Sequence, residues 1–202
     1  MELYLIRHGE TEISKKRFVS GPVGQLNELG IKQAKCLATK LKSKEIDLVL
    51  TSPYQRSKKT AKILADILNI KVVVVSLLKE KRLPSEVEGE RKNDNKSRRI
   101  LKLLQKHELD IKWRYSDEEN LNDILYRVKK FLKYLKKNKN DRLKIVIVSH
   151  KYFLMTLLFM LKYRCFNFFV FQNFYKKTKM EKGQMYKRIV NLSKLKMIYK
   201  QN

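Results

Sequence analysis

Two short apolar runs, each leading into a histidine, constrain the fold of this chain more than any other feature. Leu3–Ile6 leads into Arg7-His8, and Ile145–Val148 leads into Ser149-His150. Runs this short and this rich in valine, isoleucine and leucine are typical of buried β-strands. In α/β proteins the functional side chains lie just beyond the carboxyl ends of such strands. The two runs therefore predict strands of one sheet, with a histidine directly after each.

Further strand signals alternate with helix signals along the chain. Asp47–Leu50 and Val72–Val75 have the composition of buried strands. After Asn27, after Pro53 and from about Leu121, apolar residues recur at the spacing of one helix face. Strands that alternate with helices form a largely parallel sheet covered on both faces. We therefore predict an α/β fold, a three-layer α/β/α sandwich with a mostly parallel central sheet.

The remaining segments are less regular. Residues 79–99 are polar and lack periodicity, so we expect a long loop of the kind that forms lids or binding segments. The apolar bursts Phe168–Phe171 and Ile189–Leu192 are interpreted as further strands. A chain of 202 residues can bury roughly 70% of its unfolded surface in one core. We expect residues 1–202 to form a single domain.

The chain is strongly basic. Lysine and arginine total 47 against 20 acidic residues, which gives a net charge of +27. Such a field attracts phosphates, nucleic acids and anionic lipids. The charge is spread over the whole sequence and not gathered in one block, which favours solvated surfaces over a dedicated nucleic-acid interface. We therefore expect a small anionic partner, and no nucleic-acid partner.

Membrane and secretory signals are weak. The longest apolar stretch, Tyr152–Leu161, is about half of the roughly 20 residues that a membrane span needs. Met1 runs into a strand without a basic leader segment, and Cys36 and Cys165 lie far apart with no CxxC pair. These features predict a cytoplasmic protein that has no membrane partner.

The predicted strand ends bring together an unusual set of polar side chains. They comprise Arg7, His8, Glu10, Thr11, Thr51, Ser52, Arg56, Glu80, Ser149 and His150. Two arginines, two histidines and a carboxylate make a site for a dianion with an acid attached, because the guanidinium fork fits phosphate oxygens. A neutral imidazole can also act as a nucleophile. These residue types suit phosphoryl transfer, which depends mainly on positioning and charge stabilisation.

Alternative interpretations of the same residues are weaker. His8-Gly9-Glu10 has the His-x-Glu spacing of zinc deaminases, but neither cysteine lies in the Pro-Cys-x-x-Cys motif which that chemistry requires. His8, His150 and Glu10 could ligate a metal, but two arginines nearby would oppose a bound cation. Glu80 taken alone, and His107, would be surface residues. We expect no metal and no other cofactor.

The motifs in their combined order resemble the histidine phosphatase superfamily, the phosphoglycerate-mutase-like proteins. The matching segments are Arg7–Thr11, Leu26–Ala34, Thr51–Ala61, Leu78–Gly89, Asp117–Val128 and Val148–His150. The likeness extends to about residue 161 and is nearest to the phosphatase branch. It is specific because the segments occur in family order, whereas a single arginine-histidine-glycine motif would be only suggestive.

The resemblance implies a role for each matching residue. His8 would be the phosphorylated nucleophile, Arg7, Arg56 and His150 would hold the phosphoryl group, and Glu80 would give a proton to the leaving oxygen. The expected substrate contacts are Thr11, Ser14, Ser20, Gly21 and Lys151. The chain also departs from the family pattern at three places. Ser14 stands where many members have asparagine, Lys151 replaces the usual glycine, and Met180–Lys187 matches poorly.

These expectations define one leading function and two alternatives. The leading function is metal-independent hydrolysis of a small phosphorylated metabolite through a phosphohistidine, by a monomer or a dimer. The first alternative is a 2,3-bisphosphoglycerate-dependent phosphoglycerate mutase, and the second is an inactive phosphate- or nucleic-acid-binding protein. The loop from Glu80 to Arg99 is short of large apolar residues. We expect such a wall to admit water, which favours the phosphatase over the mutase.

Overall fold

A five-stranded, mostly parallel sheet forms the centre of the computed structural model, which describes residues 1–138, 142–163, 165–191 and 198–199. Its strands, with a separate two-stranded pair, are β1 (Glu2–Arg7), β2 (Leu48–Thr51), β3 (Lys71–Val74), β4 (Lys144–Ser149), β5 (Cys165–Phe166), β6 (Met185–Ile189) and β7 (Ile198–Tyr199). The central order is β3-β2-β4-β1-β6. Strands β3, β2, β4 and β1 run parallel, and β6 joins β1 antiparallel. The small pair joins β5 and β7.

Helices cover both faces of the sheet. They are α1 (Glu12–Lys15), α2 (Glu28–Leu41), α3 (Gln55–Leu68), α4 (Asn95–Lys106), α5 (Leu121–Asn138), α6 (Lys151–Tyr163) and α7 (Phe168–Lys177). Single 3-10 turns occupy Lys42–Lys44, Ser76–Leu78 and Ser85–Val87. The predicted three-layer α/β architecture is confirmed, and the four predicted parallel strands lie within one residue of their expected ends.

The alternation of side chains along each strand explains the two core layers. Leu3, Leu5 and Ile147 pack on one face of the sheet against α5 and α6. Tyr4 and Ile6 point to the other face and pack against α2 and α3. Successive strand residues point to opposite faces, so a continuous apolar run is what a strand buried on both sides requires.

Two predictions for the C-terminal part are wrong or shifted. Phe168–Phe171 begins helix α7 and is not a strand, because the Asn167 side chain accepts a hydrogen bond from the backbone amide of Val170 and caps the helix. A short apolar burst alone does not distinguish the two structures. Ile189 ends β6, so this strand lies before the predicted Ile189–Leu192, and Leu192 falls outside the described residues.

The predicted long loop is shorter than expected. Helix α4 begins at Asn95, where the Asp94 carboxylate accepts hydrogen bonds from the amides of Lys96 and Ser97. The polar segment that indicated a loop therefore contains the cap of a helix. No helix in the described part of the chain is long and apolar enough to cross a membrane.

The strand register brings the two histidines to the same edge. Arg7 pairs with Ser149 and Thr51 pairs with Val148, so β1, β2 and β4 end side by side. His8 and His150 are the next residues of their chains. Their imidazole ring centroids lie 5.1 Å apart. The carboxyl edge of this sheet is the place where the candidate functional residues meet.

Candidate active site

A cavity of about 570 Å³ opens at the carboxyl edge of the sheet. Its lining includes most of the residues that the sequence singles out, namely Arg7, His8, Thr11, Ser14, Ser20, Arg56, Glu80 and Lys151. Two of the residues with a predicted catalytic or substrate-binding role lie outside the lining. His150 is fully buried beside His8, and the Gly21 carbonyl accepts a hydrogen bond from the Arg56 guanidinium.

The hydrogen bonds of His8 select one tautomer. Its Nδ1 lies 2.7 Å from the backbone oxygen of Gly9, which can only accept, so Nδ1 carries the hydrogen. The unprotonated Nε2 accepts a hydrogen bond of 3.1 Å from Nε of Arg56. Burial and the adjacent Arg56 and Arg7 guanidinium groups hold the pKa of His8 well below its usual range. His8 is therefore a neutral imidazole with a lone pair on Nε2.

Close backbone packing fixes the loop that carries His8. A side chain at Gly9 would meet the backbone oxygen of Gly30 at 2.5 Å, and a side chain at Gly30 would meet the backbone oxygen of Glu10 at 2.1 Å. The Gly9 amide donates a hydrogen bond of 3.2 Å to the Thr60 hydroxyl. The two glycines thus let the first turn of α2 pack directly against this loop.

Two arginines approach His8 from different elements. Arg56 lies in the first turn of α3, is 2% exposed, and places its guanidinium 5.0 Å from the ring centroid of Tyr54. Arg7 ends β1 and donates a hydrogen bond of 2.6 Å to the Met180 carbonyl. Nε of Arg7 is buried and has no hydrogen-bond partner within the described residues. That N–H is free to bind an anionic ligand.

His150 packs directly against His8. Its Nε2 lies 2.8 Å from the Ser52 hydroxyl and 3.3 Å from the Ser57 hydroxyl, and its Nδ1 is buried without a partner in the described ranges. Burial, then the neighbouring His8 and Arg56, lowers the pKa of His150 well below its usual range. Both imidazoles are neutral before a ligand binds.

The Glu80 carboxylate is held by backbone amides. Its Oε1 accepts hydrogen bonds from the amide of Lys81 at 2.9 Å and from that of Tyr152, in the first turn of α6, at 3.2 Å. The Ser149 hydroxyl donates a hydrogen bond of 2.7 Å to the Leu78 carbonyl, which ties the Glu80 loop to β4. The carboxylate is thereby fixed in the lining of the same cavity as His8.

Helix α5 supports the Glu80 loop through Arg127. This guanidinium donates hydrogen bonds to the backbone carbonyls of Leu77, Lys79 and Glu80 at 2.7 to 3.2 Å. It also forms a two-pronged ion pair with Glu119, both contacts at 2.8 Å. Glu119 in turn accepts a hydrogen bond from the amide of Arg82. The sequence showed this arginine only as part of a motif and gave no sign of its contacts.

Lys182 is a cavity residue that the sequence did not single out. Its ammonium donates a hydrogen bond to the Ser14 hydroxyl and lies 3.9 Å from the Glu10 carboxylate. Ser14 also accepts from the hydroxyl of Thr11, which caps α1. Burial, then the nearby Arg7, lowers the pKa of Lys182. It belongs to the poorly matching Met180–Lys187 segment, so the motif comparison could not identify it.

Much of the remaining wall comes from the predicted loop, residues 79–99, and from the residues directly after it. Its further members are Leu83, Lys92, Leu101, Leu104, Gln105 and Glu108. Leu101 and Leu104 lie on α4, which was not predicted. His107 lies outside the lining, half-buried, and stacks on Trp113 with ring centroids 4.3 Å apart. No group of three or more histidine, cysteine, aspartate or glutamate side chains in the described ranges is arranged to hold a metal ion.

Comparisons with known proteins show the family and the fold. Residues 3–169 match the family model described as "Histidine phosphatase superfamily (branch 1)". A Hydrogenobacter thermophilus protein named "Putative phosphoserine phosphatase 2" is 28% identical over 157 residues, which cover 73% of this chain and 72% of that protein. A Photorhabdus laumondii protein named "Probable phosphoglycerate mutase GpmB" is 33% identical over 81 residues, which cover 40% of this chain and 38% of that protein.

A solved structure extends the likeness to nearly the whole chain. The Escherichia coli protein described as a "putative alpha-ribazole-5'-P phosphatase" superposes with a TM-score of 0.77 at 25% identity. The superposition covers 95% of this chain and 91% of that one. The likeness in fold therefore extends beyond residue 169, where the family match ends.

Proposed function

Because the chain belongs to the histidine phosphatase superfamily, branch 1, we propose that this phosphatase hydrolyses small phosphomonoesters through a phosphohistidine at His8. The observation that carries the proposal is the tautomer of His8. Its Nδ1 is engaged by the Gly9 carbonyl, and Nε2 is unprotonated in a cavity lined by Arg7 and Arg56. An imidazole oriented in this way is a nucleophile beside a phosphate-binding pair of arginines.

In the first step, Arg56 transfers its hydrogen bond from His8 Nε2 to a phosphoryl oxygen, Nε2 attacks phosphorus, and the bond from phosphorus to the ester oxygen breaks. Arg7 and Arg56 stabilise the charge on the equatorial oxygens. His150, which packs beside His8 and has no partner at Nδ1 among the described residues, is assigned to the phosphoryl group as well. Glu80, protonated at this stage, gives its proton to the departing alkoxide. The products of the step are a free alcohol, a phosphohistidine and an ionised Glu80.

In the second step, water attacks the phosphohistidine. Glu80 accepts a proton from the water while the water oxygen bonds to phosphorus, and the bond from phosphorus to Nε2 breaks. Inorganic phosphate leaves, and His8 and protonated Glu80 are regenerated. Every proton in this cycle is carried by residues of the chain, so the proposal needs no metal ion.

The test is phosphate release from a panel of phosphomonoesters with magnesium chelated. We expect turnover in the presence of the chelator, and none from His8→Ala when that variant keeps the wild-type circular dichroism spectrum. Turnover that disappears on chelation and returns with magnesium would contradict the metal-independent mechanism.

An assay of the same protein with 3-phosphoglycerate distinguishes a phosphatase from a mutase. With 3-phosphoglycerate and catalytic 2,3-bisphosphoglycerate, we expect phosphate release without efficient formation of 2-phosphoglycerate. A mutase must keep water away from the phosphohistidine while its intermediate reorients. Isomerisation much faster than phosphate release would favour the mutase.

A further inference from the structure

The cavity carries more positive charge than a phosphoryl group needs. Its lining contains six cationic side chains, Arg7, Arg56, Lys81, Lys92, Lys151 and Lys182, against two carboxylates, Glu80 and Glu108. With the histidines neutral and Glu80 protonated, as the proposed first step requires, Glu108 and the Glu10 carboxylate beside Lys182 compensate two of the six cations and leave four positive charges. A phosphomonoester dianion compensates about two of them. About two positive charges then remain without an anionic partner.

Two of these cations lie around one aromatic ring. The Lys81 ammonium is 5.3 Å and the Lys151 ammonium 5.5 Å from the ring centroid of Tyr152. Among the described residues, neither ammonium has a carboxylate within 4 Å. Burial lowers the pKa of Lys81, so this cation is partly desolvated. Such a charge gains most when an anion binds beside it.

The carboxylate of Glu108 does not satisfy Lys81. It attracts Lys81 electrostatically, but none of the ion pairs within 4 Å among the described residues joins the two. Its Oε1 also accepts hydrogen bonds from the hydroxyl groups of Tyr152 and Tyr175. Those phenols already stabilise the carboxylate, so Glu108 leaves the two lysines available to a ligand.

The position of the lysines relative to Glu80 shows which half of a substrate they face. Glu80 Oε1 accepts from the amide of Lys81 and from that of Tyr152, the residue after Lys151. In the proposed function, Glu80 contacts the leaving oxygen. Side chains that flank Glu80 therefore lie near the alcohol half of the substrate, and Arg7 and Arg56 are assigned to the phosphoryl half.

On the basis of the proposed function, we propose that Lys81 and Lys151 form a second anion site for the leaving group. The preferred substrates are phosphomonoesters whose alcohol portion carries a carboxylate or a second phosphate. The two lysines raise specificity for the leaving group and take no part in the transfer of the phosphoryl group.

A matched substrate pair tests the site. sn-Glycerol 3-phosphate and 3-phosphoglycerate share a carbon skeleton and differ by a hydroxymethyl group against a carboxylate. We expect kcat/KM for 3-phosphoglycerate to be at least about tenfold higher than for glycerol 3-phosphate, because a hydrogen bond to a charged group contributes a free energy of that size. Fructose 1,6-bisphosphate against fructose 6-phosphate, compared in the same way, distinguishes a second phosphate from a carboxylate as the preferred anion.

Charge-removing variants assign the preference to these lysines. Lys81→Gln and Lys151→Gln should each reduce several-fold the ratio of kcat/KM for 3-phosphoglycerate to kcat/KM for glycerol 3-phosphate. The double variant should bring this ratio close to one. Lys81→Arg, which keeps the charge, should retain most of the preference. Lys92→Gln is the matched control, because it removes the same charge from the cavity wall away from Tyr152. It should lower kcat/KM for both members of a pair by the same factor.

The outcomes separate this proposal from the proposed function. Phosphate release with no preference within either substrate pair would overturn the second anion site and leave the proposed phosphatase activity standing. A preference that survives in the double variant would have the same consequence. If no substrate released phosphate, the proposed function would fail, and calorimetric binding to His8→Ala would decide the second site alone. There, tenfold tighter binding of 3-phosphoglycerate than of glycerol 3-phosphate supports the site, and equal binding overturns it.

Discussion

At the scale of single residues, the chemistry depends on which nitrogen of His8 carries the hydrogen. One backbone carbonyl, that of Gly9, decides it. The sequence could predict that His8 and His150 meet, because both follow buried strands. It could not predict that His150 lies outside the cavity or that Lys182 lies inside it, because those positions depend on how loops pack.

The buried histidines predict how stability responds to pH. The pKa of His8 and of His150 is held well below the value of about 6.5 that each has in the unfolded chain. Below pH 6.5 the unfolded chain therefore binds protons that the folded protein does not bind. The free energy of unfolding should fall by up to about 1.4 kcal/mol per pH unit for each histidine until the folded-state pKa is reached.

Urea unfolding at pH 7.5, 6.5 and 5.5 measures this effect. His150→Gln, which retains a polar side chain beside Ser52, should show a smaller decrease below pH 6.5 than the wild type. An equal decrease in both proteins would show that the buried His150 does not contribute.

The role of Glu80 predicts a dependence on the leaving group. A general acid contributes about 10² to 10⁴ in rate when the leaving oxygen needs a proton. Glu80→Gln should therefore lower kcat/KM, which covers only the first transfer, strongly for alkyl phosphates and much less for p-nitrophenyl phosphate, whose leaving group departs without protonation. Equal losses on both substrates would contradict this role.

At the scale of secondary-structure elements, α5 supports the loop that carries Glu80, the proposed proton donor. The Arg127 and Glu119 side chains are 14% and 19% exposed, and together they hold three carbonyls and the amide of Arg82. The apolar stripe predicted helix α5 but not these contacts. Helix α4 was missed because Asp94 lies in a polar segment that resembled a loop, and α7 was missed because its apolar start, Phe168–Phe171, resembled a strand.

Arg127 predicts a positioning effect on catalysis. Arg127→Gln should free the Glu80 loop and lower kcat/KM for alkyl phosphates by about tenfold or more, mainly through kcat and less through KM. The loss of kcat/KM on p-nitrophenyl phosphate should be smaller. Arg127→Lys should not restore activity, since one ammonium cannot replace a guanidinium that contacts three carbonyls and a carboxylate. Steady-state kinetics on both substrate types measure the effect.

Arg114→Gln is the matched control for this experiment. Arg114 forms an ion pair with Asp123 of α5, the helix that also carries Arg127. Its guanidinium is exposed, and its hydrogen bonds go to Asp123 and Glu118 and not to the Glu80 loop. Its loss should leave the kinetic constants unchanged. If Arg127→Gln lowered rates equally on both substrate types, Arg127 would be only a structural residue.

At the scale of the whole molecule, the net charge of +27 creates a field that attracts anionic substrates. The charges that lie on solvated surfaces are screened by salt over a Debye length of about 8 Å at physiological ionic strength. Raising sodium chloride should therefore lower kcat/KM for a phosphomonoester while kcat changes little. Stopped-time assays across salt concentrations measure both constants, and a fall confined to kcat would contradict electrostatic capture of substrate.

The central claim is that the phosphoryl group passes through His8, and trapping the intermediate tests it most directly. Protein mixed briefly with a ³²P-labelled substrate and quenched in alkali should carry a label that is stable to base, labile to acid and located on His8. His8→Ala should carry none and should release no phosphate. A label on another residue, or near wild-type turnover by His8→Ala, would contradict the account.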